Sequence, residues 1–148
     1  MPKEERVLLI ANRTAASSSL VEAVRTRAAR GPARFYLVVP ATPHGLDRAV
    51  NPEIAGREEA AAQLEAALPR LTEAAGSDVE GAVGDADPLA AITDAMYAQE
   101  FDEIILSTLP RRLSRWLRLD LPSKARHFGL PLTHVEAKTE APAAADAS

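Results

Sequence analysis

Cysteine is absent from the 148 residues, which excludes disulfides, thiol catalysis and cysteine-ligated metal. Long apolar runs are missing as well: VLLIA and EIILSTL are far shorter than the roughly 20 residues of a membrane span. The opening MPKEERVLLI lacks the extended apolar stretch and small-residue cleavage site of a signal peptide, so a cytoplasmic protein without a membrane partner is expected. No Walker A loop, no Gly-x-Ser-x-Gly elbow and no Gly-x-Gly-x-x-Gly fingerprint occurs. His44, His127 and His134 are too scattered to form a metal set, and Glu58 and Glu59 sit side by side on a helix and point apart. With no catalytic constellation visible, a binding or interaction role is expected ahead of an enzyme.

Hydrophobic residues make up 47% of the chain, but 30 of them are alanines. The larger apolar residues suffice for one compact core. One domain over residues 1–136 is expected, followed by a disordered Ala/Pro-rich tail at 137–148. The net charge of −4 hides an asymmetry. Residues 111–128 carry Arg111, Arg112, Arg115, Arg118, Lys124 and Arg126 against a single acid, Asp120. A concentrated basic segment on an acidic chain suggests a local anion site rather than a nucleic-acid partner.

Arg6 to Ala11 is a continuous apolar run of strand length, as expected of a strand buried on both faces. Ser17-Ser18-Ser19 offers caps for a helix on which Leu20, Val21, Val24 and Ala28 recur at helical spacing. Glu22, Arg25 and Arg27 are expected to face water, and Gly31-Pro32 to stop the helix. Arg34 to Val39 reads as a second buried strand, and residues 40–54 as a long loop. A helix follows over residues 55–75, capped by Gly76, then a weak strand near an edge over Asp78 to Val83. Asp87 and Pro88 fit the N-cap and first position of a helix through Leu89, Ile92, Ala95 and Met96. Asp102 to Leu106 and Leu132 to Val135 complete five strands alternating with helices. That alternation predicts a three-layer Rossmann-like α/β fold: a parallel five-stranded sheet, order 3-2-1-4-5, with helices on both faces. Ligands of such sheets bind beyond the carboxyl ends of the strands where the order reverses. That rule points to Asn12, Arg13 and Thr14 after the first strand, and to Ser107 and Thr108 after the fourth.

The first strand running into Asn12, the turn GDADPLAAI, and FDEIILSTLP running to LPLTHV together resemble the universal stress proteins, over roughly residues 5–135. The resemblance implies an adenine-nucleotide-binding, regulatory α/β protein. It also implies a Gly-x2-Gly-x9-Gly-Ser/Thr motif after the fourth strand, whose backbone N–H groups cradle a triphosphate. Here the three glycine positions fall on Ser107, Pro110 and Asp120, and the hydroxyl position on Leu121. Pro110 removes an N–H donor and Asp120 adds a negative charge. Asn12 stands where the resemblance implies an acidic nucleotide contact. The expected cofactor is therefore a nucleotide or another phosphate-bearing anion at a degenerate site, not ATP held in the standard way. The alternative is a module that binds no ligand and acts through dimerisation. The resemblance implies a homodimer through the last strand, Leu132–Val135, whose short apolar edge is free to pair with a second copy.

The segment Pro110 to Arg118 admits several readings. As one helix starting at Pro110, it places Arg111, Arg115 and Arg118 in a stripe opposite Leu113, Trp116 and Leu117. Arg111 and Arg115 then form an anion clamp beside Ser107 and Thr108, with Arg112 as a further candidate ligand contact. Alternatively the segment is a solvated basic face over a docked helix, or a basic amphipathic helix that touches a membrane surface. Asn12, Arg13 and Thr14, like Ser107 and Thr108, fit ligand contact and strand-end capping equally well. Asp85 and Asp87 read as turn and cap residues.

Overall fold

The computed structural model describes residues 3–42 and 52–138. The elements run β1 (Glu5–Ile10), α1 (Ser18–Ala29), β2 (Ala33–Pro40), α2 (Pro52–Ala75), β3 (Glu80–Gly84) and α3 (Pro88–Ala98). They continue with β4 (Glu103–Thr108), α4 (Arg115–Arg118), α5 (Leu121–Ala125) and β5 (Leu132–Glu136), with a 3-10 turn over Arg126–Phe128 between the last two. All five strands are parallel, in the order β3-β2-β1-β4-β5. The expected alternation and strand order are both present.

The central strand shows why its apolar run is continuous. Successive side chains of a strand point to opposite faces. Val7 and Leu9 join a core with α1 and α2 residues such as Leu20, Val24 and Leu71. Leu8 and Ile10 join the other core, with Ile92 of α3 and Leu121 and Ala125 of α5. Both faces are covered, and none of the four side chains reaches solvent. Each such burial is worth roughly 1.5–3 kcal/mol relative to exposure.

The helix signals act where the residues place them. Ser17 accepts from the Leu20 N–H at 3.2 Å, and Asp87 accepts from the Leu89 N–H at 3.0 Å with Pro88 in the first turn. Gly76, at φ +75°, ends α2 in the left-handed region that a side chain disfavours. Of the long loop expected at 40–54, Pro40 belongs to β2 and the residues from Pro52 belong to α2, while residues 43–51 lie outside the described residues. His44 lies outside the described residues, as does the tail from residue 139. β5 takes in Glu136, and Ala137 is buried with its N–H on the Thr108 carbonyl at 2.8 Å.

Two expectations are corrected. Arg27 does not face water: it is 5% exposed. Its guanidinium meets Glu5 at 2.6 Å and Glu103 at 3.0 Å. The carboxylates come from the first residues of β1 and β4, across which α1 lies, so helical spacing alone could not reveal them. The second correction concerns residues 110–118, which do not form one helix. The Leu113 N–H bonds to the Pro110 carbonyl, closing a turn, and buried Ser114 caps a new helix by accepting from the Leu117 N–H at 3.1 Å. Only Arg115–Arg118 is helical. A serine whose hydroxyl can take an orphan N–H favours a fresh start over helix continuation.

Candidate functional site

A cleft of about 510 Å³ opens beyond the carboxyl ends of β1, β2 and β4, where the strand order reverses. Its floor is polar and buried. Thr14, from the loop after β1, and Ser107, near the end of β4, face each other with their hydroxyl oxygens 2.6 Å apart. Thr108, Thr42 and Ser114 are buried beside them along the same lining. Parallel strands all end on this side, so polar residues that terminate separate strands converge there.

Of the residues expected from the sequence, Asn12, Arg13, Thr14, Ser107, Thr108 and Arg115 line the cleft, whereas Arg111 and Arg112 do not. The break at Ser114 separates Arg111 from Arg115, and the Arg111 N–H bonds to the Glu136 carboxylate at 2.9 Å. Of the two arginines of the expected clamp, only Arg115 therefore lines the cleft. The charged lining consists of Arg13 and Arg115 against Asp87. Asn12 is committed to the fold. Its amide donates to the Pro40 carbonyl at 2.6 Å and accepts from the Thr42 hydroxyl at 3.4 Å, tying the exit of β2 to that of β1. Asp87 lines the cleft while its carboxylate caps α3.

Several lining residues were not singled out in advance. Thr42 follows β2, next to the switch point, and the strand-end rule applied to β2 would have found it. Ser114, and the wall of Leu113, Trp116 and Leu119, follow from the break in the basic segment. Asp120 is the one non-glycine with positive φ among the described residues, at +59°. It falls on one of the glycine positions of the resembling motif, and its backbone takes the left-handed conformation that glycine favours while its carboxylate is exposed. Aspartate tolerates this region better than most side chains. Among the described residues no three His, Asp or Glu side chains are grouped to hold a metal, and no helix is long and apolar enough to cross a membrane.

One histidine touches the site from behind. His134 of β5 lies 2.8 Å, through Nε2, from the Thr108 hydroxyl. Burial lowers its pKa below the ordinary 6.5, and Arg126 and Arg111 push the same way, while the Glu136 carboxylate opposes them. The folded protein thus favours the neutral ring. Its contribution to stability is full above about pH 6.5 and is lost as pH falls through the folded value. Thermal unfolding should therefore show a lower Tm at pH 5 than at pH 7.5, and His134→Gln should shrink the difference. An undiminished difference in the variant would assign the effect to other groups.

No family model and no curated protein matches the sequence. Solved structures do match. A universal stress protein in complex with cAMP superposes with a TM-score of 0.61 at 18% identity, over 90% of this chain and 98% of that one. A protein of the universal stress protein family from Burkholderia pseudomallei gives 0.59 at 18%, over 90% and 98%. The universal stress protein from Archaeoglobus fulgidus in complex with dAMP gives 0.53 at 17%, over 91% and 99%.

Proposed function

Starting from the universal-stress-protein fold that these superpositions establish, we propose that the chain is a stress-response regulatory protein that binds a purine nucleoside monophosphate or cyclic monophosphate in this cleft. It acts by binding rather than by turnover. The observation that carries this reading is the hydroxyl-floored cleft at the strand-order reversal, with Arg13 and Arg115 against one aspartate in its lining. Two guanidinium groups suit one phosphate, through charge-assisted hydrogen bonds. A triphosphate is disfavoured: Pro110 offers no N–H where the resembling motif places a cradling glycine, and Arg111 and Arg112 lie outside the lining. Two fold neighbours are solved in complex with cAMP and dAMP, which are ligands of the proposed class.

Scanning fluorimetry and calorimetry with AMP, cyclic AMP, ADP, ATP and inorganic polyphosphate test the reading. AMP or cyclic AMP should raise Tm and bind at least tenfold more tightly than ATP. A sub-micromolar ATP dissociation constant, or no binding by any nucleotide, would sink it.

The exposed edge of β5 favours a second reading, in which pairing between copies is the function. β5 bonds to β4 on one side, no described strand covers the other, and Leu132, His134 and Val135 are only partly buried. An antiparallel homodimer through Leu132–Val135 is the proposed assembly. Light scattering at tens of micromolar should report a dimer that Thr133→Pro weakens. A monomer, or a dimer indifferent to that change, refutes it.

A further inference from the structure

Among the described residues, three large hydrophobic side chains are well exposed: Tyr97 at 88%, Leu113 at 62% and Leu119 at 51%. The two leucines lie on the same cavity. A single exposed leucine is ordinary, but two beside a tryptophan on one cavity wall form a patch. Between them in the chain is Trp116, the sole tryptophan. It packs against the core shared by β4, α3 and α5 and also lines the cleft, so its indole is anchored on one side and available on the other. Arg115 shares this wall, while Asn12, Thr42 and Asp87 contribute polar lining from the other strand ends.

This division of the lining has chemical consequences. A phosphate chain laid along α4 would meet leucine and indole. A flat ring would gain apolar contact and stacking there and leave a single phosphate to a guanidinium. We infer that Trp116, flanked by Leu113 and Leu119, is the surface on which the ligand lays its ring, and that this wall makes the cleft selective for ring-bearing monophosphates over polyphosphate. The inference rests on the ligand class proposed above and adds the residues that set its specificity.

The test uses the full chain, following Trp116 emission and calorimetric heat in parallel as adenosine, AMP and inorganic triphosphate are titrated. Adenosine and AMP should change the emission saturably, with the dissociation constants seen by calorimetry, and triphosphate should do neither. The double change Leu113→Ser and Leu119→Ser removes exposed side chains, so Tm should hold while AMP affinity falls at least tenfold. Trp116→Phe should stay within about threefold of the parent, and Trp116→Ala should lose at least tenfold. If AMP binds by calorimetry without altering the emission, or with an affinity indifferent to the leucine pair, the ring wall is refuted and the nucleotide reading stands. If no nucleotide releases heat, the nucleotide reading fails and the wall fails with it. If the leucine pair instead changes the mass seen by light scattering, the wall is a contact between copies and the inference is overturned.

Discussion

Replacing Arg27 with alanine should destabilise the fold by about 3 kcal/mol, at the low end of what breaking a buried ion pair costs. The Arg27 side chain is 6% exposed, and its guanidinium bridges Glu103, whose side chain is 14% exposed, and Glu5, which is half exposed. Glu5 contributes little, because solvent screens it. Glu103 carries the effect, since truncation leaves its carboxylate buried without the partner that repaid its desolvation. For a domain of this size the loss is roughly 6–12 °C in Tm. Changing both partners, Arg27→Met with Glu103→Leu, should recover most of it, because an apolar pair leaves no uncompensated charge. Urea unfolding of the parent and of these two variants checks the sign and the recovery. If Arg27→Ala costs less than about 1 kcal/mol, the cluster is effectively solvated and this account of α1 docking is wrong.

Gly56→Ala should cost about 2 kcal/mol and weaken the nucleotide binding proposed above, although alanine is the better helix former by about 1 kcal/mol. Gly56 is buried in the first turns of α2, and a Cβ added there would lie 2.1 Å from the Thr42 carbonyl oxygen. The two backbones are also bonded, with the Thr42 N–H on the Gly56 carbonyl at 3.2 Å. Relief requires α2 to move away from the exit of β2, and that exit supplies Ala41 and Thr42 to the cleft. Helix propensity and close packing predict opposite signs, so chemical denaturation decides between them. A variant more stable than the parent would mean that the approach of α2 to Thr42 is not tight in solution.

The alternation of apolar strands with capped helices was legible in the residues, because burial on both faces requires continuous apolar runs such as Val7–Ile10 and because capping chemistry is local. The cleft's position followed from strand order alone, and six of eight expected residues line it. Spacing on a helix carries no information about what a neighbouring strand presents, so Arg27 read as a surface residue until Glu5 and Glu103 stood opposite it. The basic segment failed for a related reason. Its period fits a single helix, but Ser114 is buried and takes the Leu117 N–H, and that preference depends on what packs around the hydroxyl. Local chemistry thus determined the layers, the caps and the place of the cleft. Tertiary packing decided which cations reach it, and turned Leu113, Trp116 and Leu119 toward it, because contacts between residues distant in sequence leave no periodic trace along the chain.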